Sequence, residues 1–445
     1  MSEVCLSQML KAREDRVQRQ KQLLSEYRCP LICFTMNIAG PIKRTPLIER
    51  GFFVGLSQLC NALPCGTLRF HEVQTEITGC QAMLCVDADA TVLKQICISI
   101  EEENPLGRLF DMDVLDTNGS KLERKMQRSC IVCGAPGRAC AAGRLHDVPD
   151  LQAATTRILL DHFLNHDAIY IAELATHSLL EEVSTTPKPG LVDRRNNGSH
   201  SDMTPATFTA SARALQPYFS ECFLTGHKTS GETPGATFES LRKAGLKAEK
   251  AMFAATQGIN THKGIIFTMG IVCGAIGRLW NGDSPATELS AILSECAAVG
   301  KAALNDWENS VDDTAGLTLH RQYGITGIRG EVASGLPAVV QTGLPVFENA
   351  LHHGKSRNDA GAITLLHLIT QVEDTALHHR GGREEAASAV QEVNRLLSDT
   401  PYPDIERIEA LDDAFIKRNL SPGGCADLLA VTYFLYDLYS KEADR

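Results

Sequence analysis

The spacing of apolar residues changes partway along the chain. In residues 1–150, stretches with alternating apolar and polar positions are interleaved with stretches in which apolar residues recur every three or four positions. The first pattern is typical of strands and the second of amphipathic helices. Strands are predicted over 31–41, 67–78, 81–87 and 109–116, and helices over 5–27, 47–63 and 90–103. This order predicts a mixed α/β domain with a central sheet.

From residue 151 onward the pattern is helical almost throughout. Alanine and leucine are abundant and alternating β-branched residues are scarce, a composition that favours helices. Helices are predicted over 151–183, 205–224, 236–256, 264–280, 286–306, 359–375, 383–398, 404–418 and 424–440. We therefore expect two domains, a mixed α/β domain in residues 1–150 and a mostly α-helical domain in residues 151–445.

Composition and charge narrow the class of protein. The 445 residues carry a formal net charge of -11, which argues against a protein that coats nucleic acid. The most apolar run, 264–277, is too short for a membrane span, and the first residues lack the apolar core of a secretory signal. The fifteen cysteines are therefore expected to be reduced thiols. We expect a cytoplasmic protein with no nucleic acid or membrane partner.

Two carboxylates mark the strand predicted over 109–116. Asp111 and Asp113 are two residues apart, so both side chains point to the same face of an extended strand. Neighbouring carboxylates repel unless a cation lies between them, and Mg²⁺ prefers oxygen ligands while retaining phosphate oxygens. The pair therefore indicates a metal-dependent, nucleotidyltransferase-like domain. The alternative is a solvated face of an edge strand.

A cationic turn offers the complementary part of such a site. The strand predicted over 31–41 ends at a Gly-Pro pair, and Lys43 and Arg44 follow it. Exposed backbone N–H groups and two cations at this position suit a triphosphate.

A cysteine-rich segment closes the first region. Cys130, Cys133, Cys140 and His146 have ligand types that suit tetrahedral zinc. The first pair has the spacing of a zinc knuckle, but the remaining spacing matches no standard finger. In a region already rich in cysteine the sequence favours plain free thiols, and zinc is the alternative.

The helical region contains five segments that are unusually rich in glycine, proline, histidine and charged residues. The first, 184–203, carries Lys188, Asp193, Asn196 and His200 on an irregular backbone. The second segment, 260–264, begins the helix predicted over 264–280, and the dipole of a helix favours an anion at this end. The third segment, 324–335, has glycines that let the backbone approach phosphates. The further candidates in these segments are Thr261, His262, Lys263, Arg329, Glu331, Glu373, Asp374, Arg380 and Asp427. Five such segments predict loops that converge on a single site.

Three stretches of the first region resemble one family. PLICFTMNIAGPIKRTPLIERGF, NPLGRLFDMDVLD and the cysteine segment ending in GRLH are similar to the holo-citrate lyase synthases, also called apo-citrate lyase phosphoribosyl-dephospho-CoA transferases. The resemblance implies transfer of phosphoribosyl-dephospho-CoA to a serine of the lyase's acyl carrier subunit, with release of pyrophosphate. It also implies that Asp111 and Asp113 hold Mg²⁺ and that Lys43, Arg44 and Arg108 contact phosphates.

The five segments of the helical region resemble the triphosphoribosyl-dephospho-CoA synthases. EEVSTTPKPGLVDRRNNGSHSDM, GINTHKG, YGITGIRGEVASGLPAV, EDTALHHRGG and NLSPGGCADLLA occur in order, and the fourth lacks the Asn expected after its Asp-Thr. The resemblance implies that a ribose hydroxyl of dephospho-CoA attacks the ribosyl carbon of ATP and expels adenine. The chain is thus expected to be a bifunctional transferase that matures citrate lyase.

A glycosyl transfer of this kind needs one group to deprotonate the hydroxyl and another to protonate adenine. The candidates for these roles and for proton carriage are Asp193, Glu331, Glu373, His200 and His262. Candidate substrate and phosphate contacts are Lys188, Asn196, Thr261, Lys263, Arg329 and Arg380. Mg²⁺ is expected at Asp374 or Asp427.

Three alternatives stay open at this point. The same chemistry serves malonate decarboxylase, although the resemblance of the first region favours citrate lyase. One half alone could be catalytic while the other docks the carrier protein, but charged segments occur in both. A helical protein with metal-binding acids could also be an ADP-ribosyl hydrolase, which would release ADP-ribose products rather than adenine.

Overall fold

A four-stranded antiparallel sheet forms the centre of the first region. Its strands are β1 (Leu31–Met36), β2 (Leu68–Glu76), β3 (Gly79–Val86) and β4 (Phe110–Leu115), arranged in the order β2-β3-β1-β4. Along β4 the buried side chains alternate with side chains that are at least partly exposed. The alternation follows from the period of two of an extended strand, so one face of β4 packs into the core and the other faces solvent.

Helices α1 (Leu6–Tyr27), α2 (Pro46–Ala62), α3 (Ala90–Glu103) and the short α4 (Gly137–Gly143) accompany this sheet. Local sequence fixes where two of them begin. The Thr45 hydroxyl accepts a hydrogen bond from the backbone N–H of Ile48 at 3.1 Å and so caps α2, and the Asp89 carboxylate caps α3.

The second region is helical. Its helices are α5 (Val148–Ser184), α6 (Pro205–Lys228), α7 (Pro234–Ala255), α8 (Lys263–Leu279), α9 (Leu289–Gly300), α10 (Ala315–Tyr323), α11 (Gly327–Ala333), α12 (Leu344–His352), α13 (Arg357–Gln371), α14 (Thr375–Asp399), α15 (Ile405–Lys417) and α16 (Gly423–Ser440). The predicted order of a mixed α/β region followed by a mostly helical region is confirmed.

The prediction of connecting segments was wrong in two places. The glycine-rich stretch 324–335 contains the short helix α11, and the stretch EDTALHHRGG enters α14 at Thr375. Gly382, the last residue of this stretch, has a φ of 75° and interrupts α14. Glycine lowers helix propensity, but tertiary packing overrides a weak local preference. Helices α10 and α12 were not predicted either.

The structure is a computed structural model that describes residues 2–305 and 315–440. The chain divides into a first unit, Met1–His166 with Asn281–Ser284, and a second unit, Asp167–Trp280 with Pro285–Arg445. The division lies inside α5, beyond the change of composition near residue 150. The reason is that the start of α5 packs on the first unit, where the Leu159 side chain leaves room for no Cβ at Gly51. No helix in the described residues is long and apolar enough to cross a membrane.

Candidate active sites

In the first unit, Asp111 and Asp113 lie on the same face of β4, as predicted from their spacing. In the pairing of β4 with β1, Asp111 is opposite Thr35 and Asp113 is opposite Cys33. The Asp113 carboxylate accepts a hydrogen bond from the Lys121 amine at 2.6 Å. Partial desolvation by surrounding protein atoms, and next the charge of Asp113, raise the pKa of the Asp111 carboxyl, although the residue remains exposed to solvent. No described residue donates a hydrogen bond to Asp111, so this carboxylate remains able to receive a cation.

A cavity of about 170 Å³ opens beside Asp111 and is lined by Asn37, Lys43, Arg13 and Arg16 among others. The Lys43 amine donates a hydrogen bond to a backbone carbonyl, and burial, together with the charge of Arg13, lowers its pKa. A carboxylate thus stands beside three cations, an arrangement suited to a metal-bound polyphosphate. The two arginines of α1 were not among the residues predicted from the sequence. Their spacing of three residues along one helix face was the available signal.

The structure does not bring the other predicted residues of this region into the cavity. Asp113 lies next to it on the sheet but does not line it, and the Arg44 guanidinium pairs with Glu49. The Arg108 guanidinium donates to the backbone carbonyl of Ser129. Each of these two guanidinium groups is therefore bound by another residue of the first unit.

The four candidate zinc ligands lie together. The sulfur atoms of Cys130, Cys133 and Cys140 and a ring nitrogen of His146 all lie within 4.8 Å of one another. They form a cluster separate from the residues that line the cavity beside Asp111.

In the second unit, all five predicted segments contribute to one cavity of about 700 Å³. Predicted residues that line it are Lys188, His200, Thr261, His262, Lys263, Arg329, Arg380 and Asp427. Segments far apart in sequence thus place four cations, two histidines and a carboxylate around a single space. The size of the cavity suits a nucleotide.

A buried ion pair forms part of this cavity wall. Lys188 is 1% exposed, and its amine donates hydrogen bonds to both the backbone carbonyl, at 2.7 Å, and the carboxylate of Glu182. Burial raises the pKa of the Glu182 carboxyl, while the charge of Lys188 opposes that shift. The sequence analysis missed Glu182, which looks there like an ordinary charged residue near the end of a helix.

The hydrogen bonds of His200 fix its tautomer. The Arg380 guanidinium can only donate, so Nδ1 of His200 accepts its N–H at 3.0 Å. Nε2 therefore carries the proton and donates to the Ser421 hydroxyl at 3.0 Å. Burial, and next the charge of Arg380, lower the pKa of His200 to about 4. The imidazole is thus neutral at physiological pH.

His262 is more deeply buried and keeps one nitrogen without a partner. Its Nδ1 lies 2.7 Å from the Ser211 hydroxyl, which also accepts a hydrogen bond from the Thr261 hydroxyl at 2.7 Å. Its buried Nε2 makes no hydrogen bond within the described part of the chain. Burial, and next the charge of Lys188, lower the pKa of His262 to about 3. A buried polar atom without a partner is costly, so Nε2 of His262 calls for a partner that the described residues do not supply.

Asp427 brings an unpaired carboxylate to the cavity. Its Oδ2 lies so close to the start of α8 that a Cβ at Gly264 would come within 1.9 Å, which only glycine avoids. No described residue donates a hydrogen bond to it. Burial, followed by the charges of Glu182 and Asp374, raises the pKa of the Asp427 carboxyl well above its usual range. A cation beside Asp427 would offset this repulsion.

Two candidates of the first segment instead hold that segment together. Asp193 is 1% exposed and accepts hydrogen bonds from the Thr186 hydroxyl and from backbone N–H groups that include those of Lys188 and Asn196. The Asn196 amide donates to the buried Asp412 at 2.7 Å. Neither Asp193 nor Asn196 lines the cavity. The polar groups of Asp193 and Asn196 therefore stabilise the loop that carries Lys188.

Three other candidate carboxylates also lie outside the cavity lining. Asp374 caps α14 and accepts a further hydrogen bond from the backbone N–H of Cys425 at 2.8 Å, so its lone pairs are largely occupied. Glu331 accepts a hydrogen bond from the backbone N–H of Ala338 at 3.0 Å. Glu373 is exposed to solvent. The structure therefore assigns Asp374 and Glu331 contacts that stabilise the local fold.

Comparison with protein families matches both units. Residues 4–162 match the family model described as apo-citrate lyase phosphoribosyl-dephospho-CoA transferase, and residues 168–445 match that of ATP:dephospho-CoA triphosphoribosyl transferase. The two matches meet near the division between the units at His166 and Asp167. The chain thus carries two transferase domains, which correspond closely to its two units.

Proteins named CitXG are similar over nearly the whole chain. Those of Haemophilus influenzae and Leuconostoc mesenteroides subsp. cremoris are 36% and 32% identical to it, over 97% of this chain and 96% of their own length. The 2-(5''-triphosphoribosyl)-3'-dephosphocoenzyme-A synthase of Haemophilus ducreyi is 37% identical over 69% of this chain and 99% of its own length. The chain belongs to the CitXG family, which joins the two transferase activities of citrate lyase maturation in one polypeptide. The resemblance expected for both regions is confirmed.

Proposed function

We propose that the cavity of the second unit transfers the triphosphoribosyl group of ATP to dephospho-CoA. A ribose hydroxyl oxygen of dephospho-CoA forms a bond to the ribosyl carbon of ATP, and the carbon–nitrogen bond to adenine breaks. The bonding electron pair leaves with adenine, which takes up a proton, while the attacking hydroxyl loses one. The observation that carries this proposal is the single cavity of about 700 Å³ to which all five segments contribute.

The residues of this cavity divide naturally between the two ends of ATP. Lys188, Lys263, Arg329 and Arg380 contact the triphosphate. Mg²⁺ would be held at Asp427, whose unpaired carboxylate fits a hard cation better than the capped Asp374 does. When bound, the ion would neutralise phosphate charge.

The two histidines are placed to act on protons. His200 offers an N–H from Nε2, because its Nδ1 is held by Arg380. His262 carries an unpartnered but buried Nε2, which would have to become accessible when substrate binds. Neutral imidazoles can exchange protons with the attacking hydroxyl and with adenine. Lysine and arginine, in contrast, hold the phosphates without moving a proton.

We propose that the first unit is a nucleotidyltransferase-like domain that passes phosphoribosyl-dephospho-CoA to a serine of the citrate lyase acyl carrier subunit. The serine hydroxyl oxygen forms a bond to the α-phosphorus of the triphosphate and gives up its proton. The bond from that phosphorus to the bridging oxygen breaks, and its electron pair leaves with pyrophosphate. Lys43, Arg13 and Arg16 contact the departing phosphates, and Asp111, with Asp113 beside it, would hold Mg²⁺. The family description of residues 4–162, which mentions apo-citrate lyase, supports this acceptor over malonate decarboxylase. We also propose a cytoplasmic location, which agrees with fifteen free cysteines.

Incubation of the full chain with ATP, Mg²⁺ and dephospho-CoA tests the proposal. Chromatography should show free adenine, and mass spectrometry should show dephospho-CoA heavier by one triphosphoribosyl group. Omission of dephospho-CoA is the control and should abolish adenine release. ADP-ribose products without an adduct would contradict the proposal and support a hydrolase.

A further inference from the structure

We propose that the first unit binds one structural zinc ion through Cys130, Cys133, Cys140 and His146. The sulfur atoms of Cys133 and Cys140 are 3.5 Å apart, and Nε2 of His146 is 3.2 Å from the sulfur of Cys133. Two sulfur atoms bound tetrahedrally to one zinc ion at 2.3 Å would be about 3.8 Å apart. The four ligand atoms are thus already gathered at close to the separation that zinc requires.

The backbone around the first two cysteines supports the same interpretation. The N–H of Gly134 donates to the carbonyl of Cys130 at 3.0 Å, and the N–H of Cys130 donates to the carbonyl of Ala135 at 2.6 Å. In this tight turn Gly134 has a φ of 76°, and the sulfur atoms of Cys130 and Cys133 lie within 4.8 Å of each other. The N–H of Val132 points to the sulfur of Cys130 at 3.4 Å. A backbone donor aimed at a sulfur stabilises a metal-bound thiolate.

The ligand set indicates which ion binds and what it does. Three sulfurs and one imidazole favour zinc over Mg²⁺, which prefers oxygen. All four tetrahedral positions would be filled by protein side chains, so no position is left for water or substrate. A closed site of this kind is structural.

A second cluster of potential metal ligands has its negative charge neutralised by an arginine of the chain. His177, Glu181 and Asp437 also lie together. The Arg357 guanidinium forms ion pairs with both acids, at 2.8 Å for Asp437. The cation required there is supplied by the chain.

The zinc site would fix the segment that follows β4. The carbonyl of Ser129, next to Cys130, accepts the guanidinium of Arg108, and the carbonyl of Arg128 accepts the N–H of Gly137 at 2.8 Å. Arg128 in turn forms an ion pair with the buried Glu101. Zinc would therefore order a segment that holds these arginines on the first unit, without taking part in either transfer.

Metal analysis of the tag-free full chain, purified under reducing conditions, tests this proposal. We expect about one zinc ion per chain. Cobalt supplied to the chelator-treated protein should produce the visible bands and sulfur charge-transfer bands of a tetrahedral thiolate site. Cys133→Ser and His146→Ala should each remove most of the zinc. Cys65→Ser, which changes an exposed cysteine of the same unit outside the cluster, should retain it.

Two outcomes would overturn the proposal. One is that the reduced wild-type chain neither contains zinc nor binds cobalt. This result is decisive because a misfolded variant cannot account for it. The other is a disulfide between Cys133 and Cys140, detected as a loss of two hydrogens in the peptide mass. Precursor synthesis by the second unit should be unchanged in Cys133→Ser. The zinc measurements and the transfer assays are therefore independent, and either proposal can fail without the other.

Discussion

The two cavities hold their charged groups in different ways. Beside β4, a space of about 170 Å³ is bordered by Asp111 and Arg13, which are both exposed to solvent. In the second unit, a space of about 700 Å³ is bordered by groups as deeply buried as Lys188 and His262, and the pKa of His262 is lowered to about 3. The exposed groups of the first cavity suit the approach of a protein hydroxyl, as proposed above. The second cavity is lined in part by deeply buried charged and polar groups.

This difference predicts opposite responses to mutation. Removal of a charge in the first unit should impair chemistry while the fold is retained, because water can solvate what remains. Removal of a deeply buried charge in the second unit, such as that of Lys188, should also destabilise the fold, because a buried partner is left unpaired. The following changes test this contrast.

Lys188→Met should have the largest effect. It leaves the buried Glu182 carboxylate without its partner and is expected to lower the free energy of unfolding by about 3–5 kcal/mol. The double change Lys188→Met with Glu182→Gln should recover most of that stability without recovering adenine release. Lys247→Met breaks an exposed ion pair with Glu221 and should cost less than about 1 kcal/mol. Urea unfolding measures all three. Equal losses for the two single changes would contradict the difference expected between a buried and an exposed ion pair.

Asp111→Asn should abolish carrier loading while the fold is retained. The amide keeps the shape of the side chain but removes the charge proposed to hold Mg²⁺, with an expected loss of roughly a thousandfold in rate. Asp113→Asn should cost less, because its carboxylate is already paired with Lys121. Asp87→Asn, in an exposed ion pair with Arg69, is the matched control. The assay is the mass increase of the carrier subunit with supplied precursor. Normal loading by Asp111→Asn would place the metal elsewhere.

Lys263→Ala should have a moderate effect on precursor synthesis alone. The side chain is half-exposed and pairs with Glu249 at 3.2 Å, so its loss should hardly change stability. Because it lines the cavity at the start of α8, adenine release should fall by about tenfold, which corresponds to about 1.4 kcal/mol. Lys247→Ala, on the neighbouring helix α7 and outside the cavity lining, is the control. Steady-state kinetics with varied ATP decide, and unchanged kcat and KM would exclude Lys263 from the site.

The smallest expected effect concerns pH. Because burial lowers the pKa of His262 from 6.5 to about 3, the unfolded chain binds a proton between these values that the folded chain does not. This group therefore makes the free energy of unfolding fall as pH decreases below 6.5, by up to about 1.4 kcal/mol per pH unit. His262→Gln should show a shallower decline between about pH 7 and about pH 5.5. His352→Gln, at an exposed position of the same unit, should keep the wild-type slope. Identical slopes would contradict the burial of a neutral His262.

Sequence patterns and the folded structure agree where geometry is local. The period of two along β4 was enough to place Asp111 and Asp113 on one face, and the density of polar residues was enough to select the segments around the large cavity. Local pattern does not show which carboxylates are already satisfied. Asp193 and Asp374 proved to be occupied by hydrogen bonds, mostly from backbone N–H groups, and some of these come from distant parts of the chain.

Contacts between distant segments account for what the sequence analysis missed. Glu182 becomes part of the site only because the chain after α5 turns back and brings Lys188 to it. Arg16 becomes part of the other site because of the way α1 packs on the sheet, which its charge pattern did not specify. The cysteine spacing matched no standard finger, yet folding gathers the four ligands.

The central claim is that the two sites act in succession on one prosthetic group. The most direct test is intact mass spectrometry of the apo form of the citrate lyase acyl carrier subunit after incubation with the full chain, ATP, Mg²⁺ and dephospho-CoA. We predict a mass increase of one phosphoribosyl-dephospho-CoA group, no increase with either Asp427→Asn or Asp111→Asn alone, and recovery when these two variants are mixed. A carrier that stays unmodified with the wild-type chain, while free adenine accumulates, would contradict the assignment of the second transfer to the first unit.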